Sequence, residues 1–469
     1  MDPEQQKKRQ TLRVLFSEAM MVLSVIIIMT VLVMITSGYW INQNFEVERR
    51  GMLEVYSVPT GADILTDGEA GWMAKTNNSK IVAKGEHLVT ISKDGYGDWS
   101  KKVTIEEGLM YRIPYVRLFP NEPEVEKVSE IDAKLSSVSV DRSLMLLING
   151  TTTWKLLHLD DEKVSTTDFN VDKVFGELGG NEAVNNIASI DWNEDNNRLL
   201  VRVVVGGKNE WLLLDLKDSG KSLNLTRSFG MNLGTARFFD KSGDNLLVVE
   251  NGELRKINVS EQSISKILAS GVTYFNTYDS SVIYVTNSGE NKKVSVLKKI
   301  DDEPIELLEI SGNKTFAALT KSYRDNYLTI IEDGELSLYK GQLPRNANDK
   351  NSFEKVFSVE IGFVPEHIKV GANGDFVAIR NGKNIAALDM ESENVTRFEV
   401  EDEKIGWLDG YMLYVVNDNG SLIVYDFDGL NRRELSQNAS KRLSAAISED
   451  KWLYYFSDGY LMRENLIIK

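Results

Sequence analysis

The sequence predicts an all-β protein that follows a single N-terminal transmembrane helix. Three observations carry this fold class. Ala19–Ser37 is a run of 19 residues without a charge. Eight short apolar strands recur between Ser143 and Gly459, at a spacing of about 43 residues, which is the period of four-stranded propeller blades. No amphipathic helix of useful length separates these strands, which argues against a parallel α/β fold.

The apolar run is long enough for an uncleaved membrane anchor. A helix of this length spans roughly 30 Å, the thickness of the hydrocarbon core. A cleaved signal peptide is the alternative, but its apolar stretch is shorter and small residues at A-x-A spacing follow it. Here Tyr39 and Trp40 follow, and aromatic rings favour the headgroup level. We therefore predict a cytoplasmic tail at 1–17, a transmembrane helix at 18–40 and a linker at 41–50.

The basic residues of the chain's first segment predict its orientation. Because positive charge is retained on the cytoplasmic side, the N-terminus is expected inside and the body of the chain outside the cytoplasmic membrane. The residues concerned are Lys7, Lys8, Arg9 and Arg13.

Amino-acid composition excludes several partners and kinds of site for this protein. The formal net charge is -16, and an acidic protein repels phosphate backbones, so nucleic acid is not an expected partner. The chain has no cysteine, which excludes disulfides, thiolate zinc sites and cysteine nucleophiles. Its 42% hydrophobic and 26% charged residues are typical of a folded protein.

A small β-domain is predicted directly after the linker, at residues 51–118. Met52–Val58 is rich in apolar and β-branched residues, as a strand requires. Asp67-Gly68 predicts a hairpin turn, because glycine accepts the positive φ of a type I′ turn. A further strand, His87–Lys93, ends at another Asp-Gly pair.

These residues resemble the PEGA domain, a small β-sandwich-like module of bacterial and archaeal surface proteins. The resemblance implies attachment or spacing at a bacterial cell surface and brings no catalytic residue with it. One position departs from the pattern, since Thr60 stands where Glu is usual. The matching residues are Ser57, Pro59, Gly61, Ala62, Asp67, Gly68, Gly85, His87, Gly95 and Tyr96.

Beyond a second linker at 119–124, residues 125–469 predict a β-propeller. Trp211–Asp215 and Ile423–Gly429 resemble the third strand of TolB-like and WD-repeat-like blades. The last unit supplies only three strands before the chain ends, and an exposed sheet edge is a liability. Val125–Ile131 is free to complete it. This arrangement gives eight blades, and seven is the alternative if the fourth and fifth units are divided differently.

No catalytic, cofactor-binding or metal-binding motif is present, and no cofactor is expected. Gly220-Lys221-Ser222 resembles half of a phosphate loop, but Asp215 stands where its first glycine belongs. Asp191, Glu194 and Asp195 lack the dense spacing of a calcium loop. The longest polar interruption is the candidate binding loop, because long loops are often functional. Its residues are Pro344, Arg345, Asn346, Asn348, Asp349 and Lys350.

The sequence therefore favours a single-pass protein of the bacterial cell envelope that binds rather than catalyses. Its propeller is expected to face an envelope protein or a cell-wall glycan. The alternative is a surface glycan hydrolase that uses two carboxylates in the propeller funnel, because glycoside hydrolysis needs only an Asp/Glu pair. Fold alone does not separate these functions.

Overall fold

The structure of the protein is a computed structural model that describes residues 3–36, 39–41, 47–159, 163–288, 291–299, 303–322, 325–346, 353–371 and 373–468. The chain divides into two compact units. The first comprises Met1–Asn121 and the second comprises Glu122–Lys469.

The first unit begins with helix α1, Pro3–Thr36. Within it, Val14–Met34 is long and apolar enough to cross a membrane. The predicted tail at 1–17 and transmembrane helix at 18–40 do not coincide with α1, which begins at Pro3 and ends at Thr36. It begins earlier because Gln, Lys and Arg, which fill the segment before the apolar run, are good helix formers.

The predicted linker at 41–50 also differs from the structure. Strand β1, Tyr39–Ile41, pairs antiparallel with β2, Val47–Arg49. The guanidinium of Arg49 lies 5.9 Å from the centre of the Tyr39 ring, which adds a cation–π contact to this ribbon. Part of the predicted linker is therefore paired backbone.

Seven further strands of the first unit form two sheets. The sheet orders are β6-β3-β9, in which β3 and β9 are parallel, and β5-β4-β7-β8. Alternate residues of β3 and β8 are buried, so each sheet presents one face to a shared core. The strands are β3 Gly51–Val58, β4 Asp63–Thr66, β5 Glu69–Lys75, β6 Asn78–Val82, β7 Gly85–Ser92, β8 Trp99–Ile105 and β9 Met110–Arg117.

The predicted second linker at 119–124 is partly incorporated into this unit. Phe119 is buried, and its carbonyl accepts a hydrogen bond from the Gly97 amide at 3.0 Å. Pro120 forms a β-bridge with Tyr96. These contacts hold the chain against the first unit up to Asn121, and the next strand begins at Glu124.

The described residues of the second unit form eight four-stranded antiparallel sheets, which we number in chain order, and they make up a β-propeller. The strands are β10 Glu124–Glu130, β11 Leu135–Val138, β12 Leu144–Ile148, β13 Thr153–His158, β14 Ser165–Asn170, β15 Ile187–Trp192, β16 Arg198–Val205, β17 Lys208–Asp215, β18 Leu223–Asn224, β19 Thr235–Phe238, β20 Asn245–Glu250, β21 Glu253–Asn258, β22 Ser263–Ile264, β23 Val272–Tyr278, β24 Ser281–Ser288, β25 Asn291–Leu297, β26 Ile305–Ile310, β27 Thr315–Ser322, β28 Asp325–Glu332, β29 Glu335–Gly341, β30 Glu354–Glu360, β31 His367–Val370, β32 Phe376–Asn381, β33 Asn384–Asp389, β34 Asn394–Glu399, β35 Ile405–Trp407, β36 Met412–Val416, β37 Leu422–Asp426, β38 Arg433–Ser436, β39 Ala446–Ser448, β40 Trp452–Ser457 and β41 Tyr460–Asn465.

Each of sheets 1 to 7 contains four consecutive strands, from β11–β14 to β35–β38. The second strands are the most apolar because both faces of a sheet are covered by its neighbours. In β36, for example, all five residues are buried. Continuous clusters of buried side chains join successive sheets, and one such cluster joins sheet 1 to sheet 8. Three one-turn helices occupy connections in this unit, namely α2 Asp172–Phe175, α3 Asn181–Val184 and α4 Leu225–Ser228.

Sheet 8 is completed by a strand from the beginning of the unit. Its order is β10-β41-β40-β39, and β10 runs antiparallel to β41. Beyond the strand end, the Ile131 amide donates to the carbonyl of Gly459 at 2.8 Å. The predicted strand exchange is confirmed. It gives the last sheet its fourth strand and pairs the backbone groups along one edge of β41.

Candidate functional site

The first strands of four propeller sheets line a cavity of about 580 Å³, which we call the main cavity. It receives Asp191 from sheet 2, Arg237 from sheet 3, Thr277 from sheet 4 and His367 from sheet 6. Arg202, on the second strand of sheet 2, lies opposite Ser189 in the ladder and also lines it. Strands from separate parts of the chain therefore bring charged and hydroxyl side chains together in the interior of the propeller.

Asp191 supplies the one carboxylate in the described lining of the main cavity. Its side chain meets water inside the cavity, but the surrounding wall reduces its hydration. This burial raises the pKa of Asp191, while the positive charges of Arg237 and Arg202 act in the opposite direction. Among the described residues, no carboxylate forms an ion pair with either arginine. The two guanidinium groups therefore contribute positive charge that Asp191 only partly offsets.

Neighbouring side chains position Arg237. Its Nη1 atom donates to Oδ1 of Asn276 at 3.4 Å, and its guanidinium carbon lies 5.6 Å from the centre of the Phe275 ring. Both partners are on β23, the first strand of the next sheet. An arginine held by one hydrogen bond and one ring retains further donors for a ligand.

A second cavity of about 240 Å³ shares His367 with the main cavity. Lys369 lines it, and its ammonium lies 4.6 Å from the centre of the Trp407 ring. Burial, together with the positive charge of Arg142, lowers the pKa of Lys369 to about 8, while Asp409 opposes the shift. The lining of the second cavity also contains Arg380, whose guanidinium donates to the carbonyl of Glu403 at 2.7 Å.

The two cavities together carry an excess of positive charge. Their described linings contain the guanidinium groups of Arg202, Arg237 and Arg380 and the titratable amine of Lys369, against the one carboxylate of Asp191. This local charge is opposite in sign to the net charge of -16. Among the described residues there is no group of three or more His, Asp or Glu side chains that could hold a metal ion. The arrangement suits binding of an anionic group.

The Ser-x-Pro-x-Gly-Ala segment of the first unit forms a tight polar junction between its two sheets. Oγ of Ser57 donates to Oγ1 of Thr76 at 2.6 Å, and the amide of Ala62 donates to the same oxygen at 3.0 Å. Ala62 is buried, so its small side chain fits beneath the turn. Gly61, with φ of +74°, takes a left-handed conformation that favours glycine.

The Asp-Gly turn of this unit is held by His87. Asp67 and Gly68 both have positive φ, as a type I′ turn requires. Nδ1 of His87 lies 2.7 Å from Oδ2 of Asp67, and the other oxygen of that carboxylate accepts the amide of Leu88. Both hydrogen bonds lower the pKa of Asp67. Nε2 of His87 lies 2.9 Å from the carbonyl of Ala83, so both of its ring nitrogens have partners within the fold.

Residues 50–117 match the PEGA domain family. The predicted resemblance is thereby confirmed, with bounds one residue from those predicted. In the PEGA domain of this chain, the motif residues occupy turns and buried junctions, and Tyr96 closes the domain through its bridge to Pro120. No curated protein sequence matches the chain.

Solved structures similar to this chain include β-propellers. The C-terminal WD40 domain of Sif2 is 12% identical, covers 74% of this chain and 99% of its own, and has a TM-score of 0.46. A functionally unknown protein from Desulfotomaculum acetoxidans is 10% identical over 67% of this chain and 93% of its own, with a TM-score of 0.38. An oligogalacturonate lyase in complex with manganese is 14% identical over 59% of this chain and 88% of its own, with a TM-score of 0.37. At these identities the similarity concerns the fold alone.

The described residues of the candidate binding loop lie outside the linings of both cavities. Pro344 is buried, and its carbonyl accepts a hydrogen bond from Nζ of Lys298 at 3.2 Å. Arg345 and Asn346 are exposed, while Asn348, Asp349 and Lys350 lie outside the described residues. None of the described loop residues lines either cavity.

Two other sequence features take structural roles. Gly220 and Lys221 belong to a short 3₁₀ turn in which Asp218 accepts the Gly220 amide, unlike the strand-to-helix context of a phosphate loop. Glu194 forms an ion pair with Lys241 at 3.2 Å, whereas Asp191 points into the main cavity.

Sequence reasoning missed the cationic cavity residues. Arg202 and Arg237 each lie between two apolar residues of a strand, and a charge in such a position is the signal that was available. His367 and Lys369 lie more than a hundred residues further along the chain, with no motif around them. Only the circular arrangement of the sheets brings these groups together.

Proposed function

We propose that this chain is a membrane-anchored binding or scaffold protein of the bacterial cell envelope and does not turn over a substrate. Helix α1 anchors it, the PEGA domain spaces it from the membrane, and the propeller presents the binding site. The observation that carries the proposal is the main cavity, which has a volume within the usual range of ligand pockets. Its described lining offers hydroxyl, guanidinium and aromatic groups that can recognise a ligand. It contains only one carboxylate, that of Asp191.

The alternative is a surface glycan hydrolase. Asp191 favours it, because a carboxyl group whose pKa is raised has the property that a general acid needs. That mechanism requires a second carboxylate about 5–10 Å away, as nucleophile or as base. The described lining of the main cavity contains no second carboxylate.

Retention and release of glycans separate the two functions. The full chain, purified in detergent, is incubated with envelope polysaccharides and chromogenic glycosides, and both bound glycan and released sugar are measured. Retention without release supports the binding protein. Release that disappears in the Asp191→Asn variant would identify a hydrolase and overturn the proposal.

Membrane topology is tested independently with single cysteines, because the natural chain has none. Gln5→Cys and Asn438→Cys are expressed separately in a bacterial host and exposed to a membrane-impermeant maleimide. We expect Asn438→Cys to react in intact spheroplasts and Gln5→Cys to react only after lysis. N-terminal sequencing of the mature protein checks for cleavage, since a signal sequence also has an apolar N-terminal helix. Labelling of Gln5→Cys in intact spheroplasts would contradict the anchor orientation.

A further inference from the structure

The main cavity has features of a site for one particular class of ligand. Two arginines, Arg202 and Arg237, line it without forming an ion pair to a described carboxylate. In a protein of net charge -16, an excess of positive charge in one cavity opposes the overall field. Two guanidinium groups that line one cavity attract an anion more strongly than one does, and arginine is well suited to carboxylates because it binds them in a bidentate manner.

The remaining lining indicates what the anion is attached to. A simple carboxylate fills little of a cavity of about 580 Å³, so most of the ligand must be its uncharged part. Hydroxyl groups of Ser189, Thr235 and Thr277 line the same cavity and can donate or accept hydrogen bonds. The rings of Trp192 and Phe238 are partly exposed and supply apolar surface. Hydroxyl partners together with aromatic surface fit a hydroxylated ring.

We infer that the main cavity binds a carboxylate-bearing sugar, with Arg237 and Arg202 receiving the carboxylate and the hydroxyl-lined wall receiving the ring. This inference rests on the proposed binding function and names its ligand class. Asp191 has a defined part in it. Its carboxyl group offsets some of the arginine charge in the empty cavity and competes with the ligand's carboxylate for the same cations.

The test compares acidic sugars with neutral sugars of the same ring. Binding of galacturonate, galactose, glucuronate and glucose to the full chain in detergent is measured by isothermal titration calorimetry. We expect each acid to bind at least about tenfold more tightly than its neutral counterpart, since charge-assisted hydrogen bonds are roughly twice as strong as neutral ones. Raising the salt concentration should reduce this preference. Inorganic phosphate and acetate are included to separate recognition of the anion from recognition of the ring.

Three variants locate the site. Arg237→Gln should reduce galacturonate affinity about tenfold or more and leave galactose binding nearly unchanged. Arg255→Gln is the matched control, because Arg255 pairs with Glu253 at 2.8 Å and does not line the main cavity. Asp191→Asn should increase galacturonate affinity, a gain that misfolding does not produce. Melting temperatures confirm that each variant is folded.

The outcomes separate this inference from the function on which it rests. Equal affinity for acidic and neutral sugars, or binding of acetate as tight as that of galacturonate, would overturn the ligand class while leaving a binding protein. Unchanged galacturonate affinity in folded Arg237→Gln would place the site elsewhere. Release of sugar from polysaccharide would instead contradict the proposed function itself.

Discussion

The hydroxyl of Tyr454 donates a hydrogen bond of 3.1 Å to the carbonyl of Leu159, joining the last sheet of the propeller to the first. Both residues are fully buried. They lie 295 positions apart, so this bond forms only when the ring of sheets closes. The apolar cluster around it combines Met145 and Leu157 of sheet 1 with Phe456 and Leu461 of sheet 8.

Replacing Tyr454 with Phe removes this bond and keeps the ring. We expect the variant to lose about 1–2 kcal/mol of unfolding free energy, because a buried carbonyl is left without its donor. Chemical denaturation of the full chain in detergent measures the loss. Tyr460→Phe, a change in the same sheet at a partly exposed ring, serves as the control and should be nearly neutral. Equal stability of both variants would show that closure does not depend on the Tyr454 hydroxyl.

The outer strand of sheet 8 should make a larger contribution. Replacing residues 124–130 with seven residues rich in Gly and Pro retains the connection but removes the partner of β41. Loss of this ladder is expected to reduce stability by about 2–5 kcal/mol and expose an edge that promotes aggregation. Thermal unfolding and light scattering measure both effects. The control is Glu124→Gln, an exposed position that leaves the strand intact. A replacement variant that melts with the parent would refute the contribution of strand exchange.

Glu464 makes the stability of sheet 8 depend on pH. It is 2% exposed, and its Oε2 atom has no hydrogen-bond partner among the described residues. Burial raises the pKa of Glu464 to about 7, from 4.5 in an exposed carboxyl, although Arg433 opposes the shift. Because the folded state holds the proton more tightly than the unfolded state, stability should fall as pH rises from about 4.5 to about 7.

The Glu464→Gln variant tests this dependence. It should match the parent near pH 4.5 and exceed its unfolding free energy by about 1–3 kcal/mol at pH 8, since the neutral amide avoids burying a charge. Denaturation curves at several pH values measure the difference. Glu434→Gln, an exposed change on the neighbouring strand β38, should leave the pH profile unchanged. A constant difference between Glu464→Gln and the parent at all pH values would exclude titration of Glu464 as the cause.

Thr76 should be important for the PEGA domain. Its Oγ1 accepts hydrogen bonds from both Ser57 and Ala62, and the side chain is 5% exposed. Thr76→Val keeps the shape but leaves the buried Ala62 amide without its acceptor, while the Ser57 hydroxyl retains the Pro59 carbonyl at 2.7 Å. This change should cost about 1–2 kcal/mol. Hydrogen exchange of the PEGA domain amides measures this local loss within the full chain. Thr60→Val, at an exposed turn position, is the control. Unchanged exchange in Thr76→Val would show that the junction is not stabilising.

Much of the fold was predictable because its signals are local. The apolar run around Val14–Met34 identifies a helix long enough to cross a membrane. The Asp67-Gly68 turn is set by backbone conformations that few residues accept. The strand period and the missing fourth strand of the last unit predicted that Val125–Ile131 would return to complete the propeller, and β10 does so.

The sequence by itself thus determined the helix, the PEGA domain, the repeated sheets and the strand exchange, because short-range patterns encode each of them. Tertiary structure alone decided which charges share the main cavity. Arg202, Arg237 and His367 belong to sheets 2, 3 and 6, and no sequence motif links the three residues. Their proximity follows from closing a ring of sheets, which places distant first strands around one axis, and no local pattern reports that distance.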